Sequence, residues 1–177
     1  KGDFAFTPAD LRTAAAGASR SAIRLILRAQ VVIDGKRTAW PQQVDALTLA
    51  PTSARNYEMP SLSSSESGDL LVFLMRQPES TVEMKAAIRD GVAWLQAHAI
   101  HDRAWEKAGG DRALVVQPGA PLIWSRYYSL TTGQPVFGDR DRSIHDDVAD
   151  ISAERRNGYS WYNTTAARAL KAFERWK

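Results

Sequence analysis

The chain has 177 residues, 44% hydrophobic and 24% charged, which is the make-up of one globular domain able to bury a sizeable core. Its 23 Lys and Arg against 20 Asp and Glu leave a net charge of only +3, short of the dense basic face of a nucleic-acid binder. With no cysteine, disulfides and thiolate metal sites are excluded. No apolar run reaches the ~18 residues of a membrane span, so neither nucleic acid nor membrane is expected as a partner. No export signal is visible, and a start at Lys1 rather than Met is expected of a processed chain or a piece of a longer one.

Thr7 suits an N-cap and Pro8 the first helical position. Leu11, Ala15, Ala18, Ala22, Leu25, Ile26 and Ala29 then recur at helical spacing to about Gln30. Val31 to Ala39 reads as an extended or hairpin piece turning at Asp34-Gly35. Trp40 to Pro60 follows neither period and holds three prolines, so a long ordered loop is expected. Ser63 with Glu66 and Ser80 with Glu83 both fit capping boxes. The first opens a short helix ending near Gln77-Pro78, the second a helix with Met84, Ile88, Val92, Leu95 and Ala99 on one face. Asp102 to Pro121 is polar, carries Gly109-Gly110 and reads as a loop with a strand-like Ala113 to Val116. Leu122 to Leu130 fits strand or helix equally. Val148 to Arg156 reads as a short helix stopped at Asn157-Gly158, where glycine suits a left-handed cap, and Thr164 to Trp176 as a final helix. The pattern predicts a mainly α chain with long structured loops, residues 1–177 forming a single domain.

Two stretches hold most of the side chains able to bind something: Trp40 to Glu66 and Trp124 to Tyr162. Aromatic residues at 40, 57, 124, 127, 128, 159, 161 and 162 alternate with Arg55, Arg126, Arg140, Arg142, Arg155 and Arg156. A guanidinium grips a planar carboxylate through parallel hydrogen bonds, and an aromatic wall keeps the pair dry, which suits a cleft for acidic sugars. The same pattern also suits packed loops, with rings in the core and arginines paired to Glu58, Asp139, Asp141 and Glu154. Spacing leaves both open. Asp139, Asp141, Ser143 and Asp150 fit part of a calcium-loop count, but Ile144 stands where that loop needs glycine. His98 and His101 sit one helical turn apart without a third ligand. Arg12, Arg20, Arg24 and Arg28 form a basic stripe on the first helix, best matched by solvent or internal carboxylates.

Six strings in order carry a family resemblance over nearly the whole chain. They are DGKRTAW (34–40), the stretch 43–51, ARNYEMPSLSSSES (54–67), WSRYYSL (124–130), PVFGDRD (135–141) and ERRNGYSWY (154–162). The sequence resembles the polysaccharide lyase family 10 pectate lyases, specifically the C-terminal half of their catalytic domain. That resemblance implies an all-α fold, part of an α/α barrel (toroid-like) domain with long irregular loops and little strand. It implies a secreted enzyme, extracellular or periplasmic, that cleaves de-esterified α-1,4-polygalacturonan of pectin by calcium-assisted β-elimination. By the same resemblance Arg55 in ARNYE is the catalytic base for the C5 proton, and Arg126 in WSRYY and Arg140 in FGDRD hold substrate carboxylates. The Ca2+ ligands are expected upstream of Lys1, in an N-terminal half that this chain lacks, so no metal ligand is expected here.

An arginine base is physically demanding. Lowering a guanidinium from ~13.8 to about 9 needs roughly 6.5 kcal/mol, and one cation at ~4 Å supplies up to about 4 kcal/mol. Arg55 therefore has a second reading, as a group that stabilises the charge developing on the substrate carboxylate. A non-catalytic module that binds acidic polysaccharide through the same arginines is the alternative for the chain as a whole.

Overall fold

The computed structural model describes residues 4–176. Among these residues five α-helices appear: α1 (Ala9–Ala29), α2 (Ser64–Met75), α3 (Val82–Ala97), α4 (Ala153–Gly158) and α5 (Ala167–Phe173). Between them run β1 (Val32–Ile33), β2 (Lys36–Arg37), β3 (Leu62–Ser63), β4 (Arg103–Ala108), β5 (Asp111–Val116), β6 (Trp124–Ser125), β7 (Tyr127–Tyr128), β8 (Phe137–Gly138), β9 (Ile144–His145) and β10 (Tyr162–Asn163). The strands pair in twos, all antiparallel: β1 with β2, β3 with β7, β4 with β5, β6 with β10 and β8 with β9.

The expectation of an all-α, toroid-like fold with little strand is corrected to a mixed α and β architecture. Among the described residues the strands longer than two residues are those of the β4–β5 hairpin. The strand-like Ala113 to Val116 expected from the sequence lies in β5, whereas β4 falls in the stretch expected as polar loop. The hairpin's residues are exposed or half-buried on both faces, so no apolar alternation marks it. Gly109 and Gly110, at φ 66° and 93°, close its turn in a conformation open to glycine. The long irregular stretch from 40 to 60 is present, anchored at its start by Trp40. That indole donates to the Ile26 carbonyl at 2.7 Å, and its backbone N–H donates to Ser67 Oγ at 2.8 Å.

Helix ends differ from the expectation by one to three residues, the most at α5, which runs Ala167–Phe173 rather than Thr164 to Trp176. Pro8, not Thr7, is the N-cap of α1, and Thr81, not Ser80, caps α3 by accepting from the Met84 N–H at 3.1 Å. Ser63 does precede α2, but its hydroxyl binds the Glu66 carboxylate instead of a backbone donor. The stretch expected as one helix from Val148 breaks into a 3-10 turn, Val148–Asp150, and α4. Gly158 belongs to α4, with Tyr159 extended behind it, so no left-handed cap forms.

One core lies between the end of α1, α2, α3 and α5, and includes Leu62, Leu71, Leu74, Ile88, Val92, Leu95 and Trp124. A second gathers Met59, Tyr127, Val136, Phe137, Ile151 and Trp161 beneath the short ladders. Two fully buried indoles donate to backbone, Trp124 to the Leu95 carbonyl (2.8 Å) and Trp161 to the Arg155 carbonyl (3.0 Å). On α1 the predicted apolar face is only partly used. Leu27 is buried, whereas Leu11 and Leu25 stay exposed, because the helix meets the rest of the chain chiefly through its C-terminal turns.

Candidate active site

The second core is the floor of the arginine cluster. Residues 55–58 form a tight turn in which the Glu58 N–H donates to the Arg55 carbonyl at 2.9 Å. This turn folds the Glu58 carboxylate inward, where only 2% of the side chain is exposed, and leaves Arg55 on top with 64% exposed. Glu58 accepts three hydrogen bonds: from the Arg55 backbone (3.1 Å), Arg55 Nη1 (2.8 Å) and the Tyr159 hydroxyl (2.9 Å). Burial pushes the Glu58 carboxyl up, but those three donors together hold it below the usual carboxylate range. The reciprocal effect falls on Arg55, whose guanidinium is raised above its ordinary value, first by the hydrogen bond to Glu58 and then by its charge.

Tyr159 joins this turn to the other arginines. Its hydroxyl lies 2.7 Å from that of Tyr127, which donates to Gln42 Oε1. The Arg126 guanidinium stacks 5.4 Å from the centre of the Tyr159 ring and pairs with Glu66 at 2.6 Å. Burial would pull Arg126 down; Tyr127 and Glu66 outweigh it and leave the group raised. The Arg126 backbone is fixed from both sides, its N–H on the Trp161 carbonyl (2.6 Å) and its carbonyl on the Ser64 N–H (3.1 Å). Its Nε is buried without a partner among the described residues.

Tyr57 meets Tyr159 edge to face at 5.3 Å and carries two guanidinium groups, Arg155 at 4.4 Å and Arg140 at 5.7 Å from its ring centre. Both also clasp Glu154 through two bonds each, Arg140 at 2.8 and 2.9 Å and Arg155 at 2.8 and 2.6 Å. That double clamp drives Glu154 far below the ordinary carboxylate range. The approach of β8 to Tyr57 requires Gly138, since a Cβ there would stand 2.5 Å from the Tyr57 carbonyl oxygen.

Arg55, Arg126 and Arg140 thus come from three distant strings onto one connected set of rings and carboxylates, centred on Tyr57 and Tyr159. Arg55 also borders an open cleft of about 310 Å³. The pairings read from sequence with Glu58 and Glu154 form, whereas Asp139 and Asp141 turn to Ser152 and Ser143 instead. Sequence reading left the linking role of Tyr159 unassigned, although its place among arginines and aromatics was a signal. Gln42 carried none.

The acidic groups among the described residues do not fit a calcium ion. Among the described residues no three His, Cys, Asp or Glu side chains come together, and Glu58, Glu66 and Glu154 each hold a guanidinium. In the stretch with partial calcium-loop spacing, Asp139 accepts from Ser152 and the Arg140 N–H, and Asp141 from Ser143. His98 stacks on Trp94 at 4.2 Å with Nδ1 on the Trp94 carbonyl.

The model of a family described as pectic acid lyase matches residues 1–170. The chain belongs to the pectic acid lyase family. A family 10 polysaccharide lyase from Cellvibrio cellulosa superimposes with a TM-score of 0.90 at 34% identity, and so does a mutant of that lyase in complex with trigalacturonic acid. The match covers 96% of this chain and 53% of each solved chain, so this chain spans about half their length. No curated protein matches it.

Proposed function

We propose that this chain is part of a pectate lyase that cleaves de-esterified α-1,4-polygalacturonan by β-elimination, exported to where pectin lies. The observation that carries this reading is the meeting of Arg55, Arg126 and Arg140 on one aromatic and carboxylate network beside an open cleft. The trigalacturonic acid bound by a mutant of the Cellvibrio cellulosa lyase supports an acidic sugar as the ligand class.

In such a reaction the C5 proton leaves, its electron pair forms the C4–C5 double bond, and the C4–O bond breaks toward the leaving sugar, whose oxygen takes up a proton. The carbanion-like charge at C5 spreads onto the adjacent carboxylate, so a cation placed on that carboxylate lowers the barrier. Arg55 fits that task. It is the most exposed guanidinium of the Tyr57–Tyr159 network, and its pair with Glu58 favours the charged form further. Service as the C5 base would require a proton-poor Arg55, hence opening of the Glu58 pair. Arg126 and Arg140 hold further carboxylates of the polymer, each exchanging its glutamate for a uronate. Calcium, when bound, would acidify the C5 proton by drawing charge from the carboxylate; its ligands would come from residues outside this stretch.

The test is ultraviolet absorbance of the unsaturated uronate released from polygalacturonate, with calcium and with chelator, using the longest form of the protein. New ends formed only with calcium are expected. Retention on a pectate matrix without any new ends would replace the lyase reading with a carbohydrate-binding one.

A further inference from the structure

We infer that Arg142, oriented by Asn56, forms a further carboxylate subsite in the cleft that Arg55 borders. The inference rests on the uronan reading and gives a specific role to a residue that the sequence offers only as one of six arginines among aromatics and that the family strings leave out. Arg142 sits in the turn between β8 and β9 and lines the same 310 Å³ cleft as Arg55, Asn56 and Ser143.

Its backbone adopts φ 73°, a left-handed conformation that glycine takes freely and arginine does not. The surrounding turn enforces it. The Arg142 N–H donates to the Asp139 carbonyl at 3.0 Å, Asp139 N–H to the Ser143 carbonyl at 3.0 Å, and the Asp141 carboxylate accepts from the Ser143 N–H at 2.9 Å. A turn that needed only closure would be served better by glycine, so the side chain is the reason to look further.

That side chain is held by one end only. Asn56 donates through Nδ2 to the Arg140 carbonyl (3.1 Å), which fixes the amide and aims Oδ1 at Arg142 Nε (3.3 Å). Among the described residues the two terminal nitrogens make no hydrogen bond and Arg142 enters no ion pair. Arg55, Arg126, Arg140 and Arg155 each have a carboxylate partner. Arg142 therefore offers its terminal edge, with parallel N–H donors matched to a carboxylate, without first giving up an internal ion pair. Arg55 supplies a second positive charge in the same cleft.

The test pairs stability with binding. Arg142→Gly relieves the left-handed strain, so its melting temperature rises, while its affinity for trigalacturonate falls about tenfold for a lost charge-assisted pair. Arg142→Lys keeps part of the affinity through its charge, and the methyl ester of the trimer loses the preference for arginine. If wild-type protein binds trigalacturonate and Arg142→Gly binds it equally well, the subsite is overturned and the uronan reading stands. If wild-type protein binds no trigalacturonate, both fall.

Discussion

At residue scale the site depends on one buried carboxylate and one absent side chain. Glu58 is covered from solvent and holds three donors, so losing one leaves part of a buried anion unsatisfied. Tyr159→Phe keeps the ring under Arg126 but removes the hydroxyl that Glu58 and Tyr127 share. A loss of about 1–2 kcal/mol in urea unfolding is expected. Gly138→Ala drives a methyl group into the Tyr57 carbonyl and Met59 Cε, at 2.5 and 2.8 Å in the undistorted backbone. Since backbone must yield, about 1–3 kcal/mol is expected in the same measurement, along with weaker galacturonate binding as Tyr57 shifts. Arg55→Ala separates chemistry from capture. Turnover of polygalacturonate should drop by at least ~100-fold while calorimetric affinity for oligogalacturonate stays within a few fold, because Arg126, Arg140 and Arg142 remain. A wild-type rate would remove Arg55 from the chemistry.

At the scale of elements, the β4–β5 hairpin is tied to α4 by charge. Asp111 at the hairpin turn takes two donors from Arg156 and one from Asn157, and Asn157 accepts from the Arg112 N–H at 3.0 Å. Arg156 also donates to the Ala149 and Ile151 carbonyls, both at 2.8 Å, so one guanidinium joins the 3-10 turn, the helix and the hairpin. The Arg156 hydrogen bond is the main reason that the Asp111 carboxyl falls from 3.8 to about 2. A folded value below the unfolded one adds stability that is present above 3.8 and lost as pH falls through about 2. Glu154, clamped by two arginines, acts with the same sign. Melting temperature should therefore fall between about pH 4 and pH 2, and the slope should be shallower, though not flat, for Asp111→Asn. Equal slopes would show that the tether has no part in acid stability.

Across the whole molecule, two cores divide the work. The helical core of α2, α3 and α5 gives a rigid wall, and the smaller aromatic core holds short ladders from distant strings in register. Four guanidinium groups around Tyr57 and Tyr159, with Arg142 close by, concentrate positive charge on a molecule whose net charge is only +3. Binding of polygalacturonate should weaken steadily as salt is raised from low to about physiological strength, where charges are screened beyond ~8 Å. Salt-independent binding in a titration would mean that ring contacts, rather than guanidinium, carry the affinity.

Much of the helical wall was legible in order along the chain, because Met84, Ile88, Val92 and Leu95 recur at the period of the helix they build. The pairing of Arg55 with Glu58 was legible too, because ARNYE is a turn whose glutamate lies within reach of its own arginine. The sequence showed the strand-like Ala113 to Val116 of β5 but not its pairing with β4, since neither face of the hairpin is buried deeply enough to leave an apolar pattern. Nor could it show which carboxylate each distant arginine meets: Glu66 reaches Arg126 across 60 residues, and Asp111 reaches Arg156 across 45. Sequence spacing determines what neighbours on one element can do. Contacts between elements depend on close packing around Tyr57, Tyr159 and Gly138, and only the folded chain sets those distances.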